Sequence, residues 1–230
     1  MDYQKKVPLT RIQRLIGRRM LESKTTKPWF CVESKADVTE LMGLRPRLRK
    51  SLGIRITTNT FYIKALALAA VEYPLMVATF VSDRIFDTVK VADDINVGFA
   101  VNAPQGLVVP VIRSAQRRSL VEIARLEKQL TEKARDNKLT LEEMESETIA
   151  LTNLGAYDID SFIAIIPPPV STILSVGNVI PTVVPRRGKP AVRKLLSLTV
   201  VADHRIVNGA YAAKFLGFIV EKLQNPTELL

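Results

Sequence analysis

The sequence predicts a single α/β domain, and three observations support that fold class. Apolar residues recur at helical spacing in several segments, and some of these segments begin with capping-box pairs such as Thr10/Gln13 and Ser119/Glu122. Between them lie alternating or continuous apolar runs separated by turn residues, which are typical of strands. The 230 residues contain no internal repeat and no linker-like stretch, so one domain over residues 1–230 is the simplest account.

Helices are predicted wherever apolar residues recur at intervals of three and four. They cover about residues 10–25, 38–50, 60–71, 119–136 and 210–224, and a short one begins at Thr140. The segment 60–71 is apolar almost all round, which is typical of a core helix or a subunit interface. The last helix should direct five residues inward: Ala212, Phe215, Leu216, Ile219 and Leu223. An extended arm of about residues 1–9 precedes the first helix.

Strands are predicted over residues 29–37, 97–101, 107–112, 148–152, 170–184 and 191–202, with further short strands between 77 and 96. We expect 97–101 to pair with 107–112 through the turn at 103–106, and the last two strands to form a hairpin with a basic loop at 185–190. Phe162–Ile166 ends at three prolines, which cannot donate to a sheet. That segment should therefore be an edge or a rigid extended stretch.

The composition excludes several classes of site and partner. The chain has one cysteine, Cys31, so an internal disulfide is excluded. Because it also has only one histidine, the usual Cys/His zinc sites are excluded too. Cys31 is expected to be a small buried residue. No apolar run reaches membrane-spanning length, and the N-terminus lacks an apolar signal core. The net charge of +10 suits a phosphorylated cofactor or an acidic protein. Because the basic residues are scattered without interleaved aromatics, nucleic acid is not an expected partner.

His204, the only histidine, is the first candidate for chemistry. It follows the apolar run 195–202 and precedes the last helix, so it should lie where a buried strand ends and the chain turns. An imidazole titrates near neutral pH and can act as a general base without large tuning. Its position alone equally allows a turn or core histidine that has no chemical role.

Several stretches, taken with their order and spacing, resemble the catalytic core of the dihydrolipoamide acyltransferases, the E2 components of 2-oxo acid dehydrogenase complexes. These stretches are 7–20, 98–113, 119–123, 152–155 and 202–205. The resemblance covers nearly the whole chain. It implies a chloramphenicol acetyltransferase-like fold, in which a mixed β-sheet and helices form two layers. It also implies a cytoplasmic protein, or one of the mitochondrial matrix in a eukaryote.

The resemblance further implies transfer of an acyl group between dihydrolipoamide and coenzyme A, a substrate, without a metal. In this family the matching histidine, here His204, takes the proton of the coenzyme A thiol. The matching hydroxyl, here Thr152, donates to the oxyanion of the tetrahedral intermediate from a neighbouring subunit. Read without the resemblance, Thr152 is better explained as an ordinary strand residue than as an oxyanion donor, because threonine is common in strands.

Asn208 departs from the family pattern, which has an aspartate four residues after the histidine. The resemblance implies that this aspartate pairs with an arginine of the first helix, which would be Arg18 or Arg19 here. Asparagine keeps an acceptor but loses the charge, so the pair should be weaker. We expect an active enzyme with His204, Thr152 and Asn208 in its site; the alternative is an E2-like assembly core with weakened or no activity.

The resemblance also implies an assembly and a set of partners. A homotrimer is expected, either alone or built into a cubic or icosahedral cage. The helix 60–71 and the tail Leu229–Leu230 are the expected assembly surfaces, although the tail can equally be a frayed terminus. No lipoyl or peripheral-subunit-binding pattern occurs in the 230 residues. The lipoyl group should therefore come from a separate domain or protein, with the E1 and E3 components as indirect partners. The acyl group and the coenzyme A contacts stay open.

Overall fold

The computed structural model describes residues 6–83 and 85–230, which form five α-helices and ten strands. The helices are α1 (Arg11–Thr26), α2 (Thr39–Leu52), α3 (Thr58–Glu72), α4 (Leu120–Arg135) and α5 (Gly209–Gln224). The strands are β1 (Trp29–Asp37), β2 (Ala78–Ser82), β3 (Asp87–Val91), β4 (Val97–Phe99), β5 (Val101–Ala103), β6 (Gly106–Val108), β7 (Val111–Ile112), β8 (Ile149–Asn153), β9 (Thr172–Arg186) and β10 (Lys189–Asp203). Residues 6–9 of the predicted arm carry no regular structure, and residues 1–5 lie outside the described residues.

The five longer helices are confirmed. In most of them a capping interaction at the N-terminus determines where the helix begins. Thr10 and Ser119 form the expected capping boxes of α1 and α4, and Thr57 forms one for α3 that the sequence reading missed. α2 ends at Gly53, whose φ of 64° favours glycine. The segment after Thr140 is shorter than predicted and makes only one 3₁₀ turn, Glu142–Met144.

A six-stranded mixed sheet organises the molecule, in the order β1-β10-β9-β8-β4-β7. β8 is parallel to both β4 and β9, whereas the other neighbouring pairs in this sheet are antiparallel. β2 with β3 and β5 with β6 form two separate antiparallel pairs. The ends of β8 and β10 are therefore carried by the same sheet, two strands apart.

Two strand predictions need correction. The expected pair 97–101 with 107–112 forms, but each strand is broken into two, as β4 and β5 against β7 and β6. Pro110 explains the break, because it has no N–H to donate and instead accepts from the amide of Phe99 at 3.0 Å. The final hairpin turns at Arg187-Gly188, where φ is 51° and 76°. The loop is therefore shorter than the predicted 185–190. Pro185 and Pro190, at the expected ends of the loop, pair with each other within the strands.

The two faces of the sheet are covered differently. One face packs against α2, α3, α4 and α5 in the main core, which includes the five inward residues predicted for α5 and most of α3. The other face carries a small cluster, in which Ala150, Ile173 and Val201 pack under the extended segment 158–170. As expected of its prolines, this segment forms no strand. Cys31 lies on this second face of β1 and is exposed, contrary to the expectation of a buried thiol.

Buried polar contacts tie α3 to α4. Glu127 of α4 accepts hydrogen bonds from the hydroxyls of Thr57, at 2.7 and 2.8 Å, and Thr60, at 2.6 Å. Burial raises the pKa of the Glu127 carboxyl, and these hydrogen bonds offset part of the rise. The carboxylate also lies at the N-terminus of α3, where the helix dipole favours negative charge.

The C-terminal tail is ordered within its own protomer. Leu229 is fully buried in the main core, which rules out a frayed end at that residue and leaves Leu230 as the exposed apolar residue of the tail. Among the described residues, no helix combines the length and the apolar character needed to cross a membrane.

Candidate active site

His204 lies where the sequence placed it, directly after β10. Its backbone N–H donates to the carbonyl oxygen of Pro28 at 2.9 Å, which ties this turn to the start of β1. The imidazole lies against the ring of Phe30, with 4.7 Å between the ring centroids and an angle of 60° between the planes. The side chain is exposed in the protomer. A ligand or a second chain can therefore reach the imidazole.

The residues on either side of His204 form a clasp that fixes its backbone. The buried carboxylate of Asp203 accepts hydrogen bonds from the backbone N–H of Arg205 at 3.1 Å and from its guanidinium at 2.6 to 3.2 Å. The side-chain hydrogen bonds to Asp203 raise the pKa of Arg205 further above its usual value, so its guanidinium stays charged. The guanidinium also lies 4.2 Å from the ring of Phe80. The clasp and Phe30 together restrict the direction of the imidazole.

Thr152 lies near the end of β8 and is half-buried. The turn that follows it is held by two contacts, because Asn153 accepts from the amide of Gly155 at 2.8 Å and donates to the side chain of Asn59 at 2.7 Å. Asn59 is a site residue that the sequence reading missed. A polar side chain in the first turn of an otherwise apolar helix was the available signal.

Strand register separates Thr152 from His204 within one protomer. Thr152 is paired with Ser175 on β9, and Ser175 with Thr199 on β10. His204 is thus two strands to the side and five residues further along. At about 3.3 Å per residue and about 4.8 Å between strands, the two side chains are on the order of 20 Å apart. One protomer does not bring them together.

Asn208 caps α5 and does not make the contact that the family pattern implied. Its side-chain oxygen accepts from the amide of Tyr211 at 3.0 Å. Arg19 of α1 donates instead to the carbonyl oxygen of Pro168 at 3.0 Å. Among the described residues, Asn208 forms no hydrogen bond with Arg18 or Arg19, the two arginines that the resemblance offered for this pair. An uncharged amide attracts a guanidinium weakly, and the helix cap already uses the side-chain oxygen of Asn208.

Two half-buried ionisable groups near the site were not predicted. Lys27 donates through Nζ to the carbonyl oxygen of Val170 at 2.5 Å, and burial lowers its pKa while the nearby Asp203 carboxylate partly offsets that effect. Burial raises the pKa of Glu147 to about 7, partly offset by the charges of Arg19 and Lys27. Within residues 6–83 and 85–230, no three His, Cys, Asp or Glu side chains are grouped to hold a metal ion.

The chain matches known proteins along its whole length. The sequence profile described as 2-oxoacid dehydrogenases acyltransferase (catalytic domain) matches residues 2–230. A dihydrolipoyllysine-residue acetyltransferase component of the pyruvate dehydrogenase complex from Rickettsia felis is 34% identical over 97% of this chain and 54% of its own length. A dihydrolipoyllysine-residue succinyltransferase component of the 2-oxoglutarate dehydrogenase complex from Haemophilus influenzae is 32% identical over 99% of this chain and 56% of its own. The chain spans about half the length of the curated relatives it matches.

Solved structures agree with the sequence matches. The cubic core of a pyruvate dehydrogenase multienzyme complex is 29% identical, with a TM-score of 0.92, over 99% of this chain and 94% of the other. A structure from a study of a serine, a histidine and an asparagine in the catalytic mechanism of Azotobacter vinelandii dihydrolipoamide acetyltransferase is 28% identical, with the same TM-score and coverage. Chloramphenicol acetyltransferase, 15% identical over 90% of this chain and 92% of its own, gives a TM-score of 0.51 and so confirms the predicted fold. The chain belongs to the family of 2-oxoacid dehydrogenase acyltransferases, whose catalytic domain it matches.

Proposed function

We propose that this chain is an acyltransferase catalytic domain, over residues 1–230, that moves an acyl group between dihydrolipoamide and coenzyme A. The observation that carries the proposal is the exposed imidazole of His204, fixed at the end of β10 in a chain of this family. His204 is the general base and Thr152 the oxyanion donor. Asn208, four residues after His204, completes the site by fixing the start of α5.

The chemistry requires a base and a hydrogen-bond donor. A free thiol titrates near pH ~8.5, so at neutral pH the thiol of coenzyme A is mostly protonated. His204 takes that proton, and the thiolate attacks the acyl carbonyl of the lipoyl thioester. The hydroxyl of Thr152 donates to the oxyanion that forms. The intermediate then collapses, the carbon–sulfur bond to dihydrolipoamide breaks, and the leaving thiolate takes the proton back from His204. Losing an oxyanion donor typically costs on the order of 10²–10³ in rate.

The spacing of the three residues supports these roles. In the Azotobacter vinelandii enzyme, the serine studied for its role in catalysis precedes the histidine by 52 positions, and the asparagine follows it by four. Thr152 and Asn208 stand at the same separations from His204. Threonine keeps the hydroxyl of serine. An asparagine in that relative's mechanism also argues against the alternative, in which Asn208 marks a weakened or inactive assembly core.

The separation of Thr152 from His204 supports a site built between protomers. A separation on the order of 20 Å is too long for one acyl carbonyl to contact both side chains. A homotrimer in which His204 of one protomer faces Thr152 of the next removes the difficulty. Exposed apolar residues of α1 and of the segment before it suit such a contact, since they are not covered within the protomer: Val7, Leu9, Leu15 and Leu21.

Larger assembly and partners follow from the same relatives. We propose that the trimers build a larger core, because one structural neighbour is the cubic core of a pyruvate dehydrogenase complex. The lipoyl group is supplied by a separate domain or protein, and E1 and E3 components act through it. The protein would lie in the cytoplasm of a bacterium or in a mitochondrial matrix; the relatives from Schizosaccharomyces pombe and Dictyostelium discoideum are named as mitochondrial.

The decisive experiment measures acyl transfer from acyl-dihydrolipoamide to coenzyme A. His204→Ala and Thr152→Ala should each lose most of the activity. Thr199→Val, which removes a hydroxyl from β10, two strands from Thr152, should retain it. An unchanged rate in His204→Ala would exclude the proposed base. An inactive wild-type core, with Asn208→Asp also inactive, would favour the assembly-only alternative.

A mixing experiment tests the site between protomers. Co-expressed His204→Ala and Thr152→Ala chains should form mixed trimers, in which some interfaces carry both wild-type residues. With random mixing, about a quarter of the interfaces are intact, so about a quarter of wild-type activity should return. No recovery in verified mixed trimers would contradict a shared site.

A further inference from the structure

Ser175 lies in a row of polar side chains that crosses four strands of the sheet. Thr152 on β8 pairs with Ser175 on β9, Ser175 with Thr199 on β10, and Thr199 with Glu33 on β1. Paired residues project from the same face of a sheet, and this face is the one opposite the main core. The row therefore leads from the candidate oxyanion donor across the second face.

The hydroxyl of Ser175 is the exceptional member of this row. Thr199 donates to Glu33 at 3.4 Å, whereas Ser175 is only 1% exposed and its Oγ has no hydrogen-bond partner among the residues that the structure describes. A buried hydroxyl without a partner costs on the order of 1–3 kcal/mol. A buried hydroxyl without a partner therefore calls for an explanation beyond packing.

The segment 158–170 keeps bulk water away from Ser175 on the second face of the sheet. Two residues further along β9, Gly177 lies so close to the segment 158–170 that a Cβ there would collide with the carbonyl oxygen of Asp160. The amide of Asn178 donates to the carbonyl oxygen of Ile159 at 2.7 Å, which holds the same cover in place. Two hydroxyls lie at positions paired with Ser175, those of Thr152 on β8 and Thr199 on β10. The Thr199 hydroxyl already donates to Glu33, whereas Thr152 is half-buried at the candidate site.

The geometry of paired strands allows these two hydroxyls to meet. β8 and β9 are parallel neighbours, so the Cβ atoms of Thr152 and Ser175 are separated by about the strand spacing of 4.8 Å. Each hydroxyl oxygen can extend from its Cβ toward the neighbouring strand in one rotamer. A rotation about χ1 of Ser175 is the smaller adjustment, because the β-branched Thr152 has a stiffer χ1.

We propose that Ser175 is a positioning residue whose hydroxyl donates a hydrogen bond to Oγ1 of Thr152 during acyl transfer. Oγ1 of Thr152 then accepts the hydrogen bond from Ser175, and the hydroxyl hydrogen of Thr152 points at the oxyanion. A hydroxyl that accepts a hydrogen bond becomes a stronger donor, so the pair stabilises the intermediate better than Thr152 alone. This inference rests on the proposed role of Thr152.

Ser175→Ala tests the inference with little disturbance of packing. We expect kcat to fall about fivefold, the effect of one ordinary neutral hydrogen bond, with the KM values for both substrates unchanged. Ser175→Gly should fall at least as far, and the matched control Thr199→Val should keep wild-type kcat. A Ser175→Ala variant with wild-type kcat and a raised melting temperature would show that the hydroxyl is merely unsatisfied, and would overturn the inference.

A double-mutant cycle separates this inference from the proposed function. If Ser175 acts through Thr152, Ser175→Ala should have no further effect in a Thr152→Ala background. The same fivefold loss in both backgrounds would refute the hydrogen bond from Ser175 to Thr152 while leaving Thr152 as oxyanion donor. A Thr152→Ala enzyme with full activity would refute the role of Thr152 itself, and the role of this hydrogen bond with it.

Discussion

The side chain of Glu147 makes the stability of this protein depend on pH in an unusual direction. One carboxyl oxygen, Oε2, is buried without a hydrogen-bond partner in the part of the chain that the structure describes. It packs over β4 so closely that a Cβ at Gly98 would collide with it. Burial raises the pKa of this carboxyl from 4.5 to about 7, although the charges of Arg19 and Lys27 oppose the rise.

The sign and size of the effect follow from proton linkage. Between pH 4.5 and about 7 the folded chain keeps a proton on Glu147 that the unfolded chain releases, so stability falls as the pH rises through this range. At about 1.4 kcal/mol per pKa unit, the loss is about 3 kcal/mol. Glu147→Gln, which stays uncharged, should therefore be more stable than wild type at pH 8 by up to that amount and similar to it below pH 4.5.

Urea unfolding at several pH values, at one fixed protein concentration because the chain is expected to be oligomeric, measures this difference. The exposed neighbour Glu145 provides the matched control, and Glu145→Gln should follow the wild-type pH dependence. A difference between Glu147→Gln and wild type that is equal at pH 5 and pH 8 would refute the reasoning.

Three further predictions concern packing and capping. Glu127→Ala removes the acceptor of the buried Thr60 hydroxyl and of the half-buried Thr57 hydroxyl, and should cost about 2–3 kcal/mol in urea unfolding. A loss below about 0.5 kcal/mol would contradict the tie between α3 and α4. Gly177→Ala should lower the melting temperature, because the methyl group would overlap the backbone carbonyl of Asp160. Gly217 in α5 has open space for a methyl group, so Gly217→Ala should raise the free energy of unfolding by about 0.5–1 kcal/mol. Asn208→Ala should cost about 1 kcal/mol as a lost helix cap, and Asn208→Asp should retain the cap; equal melting temperatures for Asn208→Ala and wild type would exclude it.

Local chemistry explains why most elements could be read from the sequence. The capping boxes at Thr10 and Ser119 fix helix starts within a few residues, and the apolar spacing of α5 identifies its inward face. Predictions were less exact where neighbours in space compete. Pro110 splits two strands that read as continuous, and the turn at Arg187-Gly188 shortens the last loop.

The sequence by itself determined the α/β class, the family resemblance, and a lone histidine at the end of a strand. The tertiary structure decided which groups meet: the register that separates Thr152 from His204, the capping role of Asn208, and the burial of Ser175 and Glu147. The reason is physical. Periodicity and capping depend on residues within a few positions of each other. Register and burial instead depend on contacts between segments far apart in the chain, which no local pattern records.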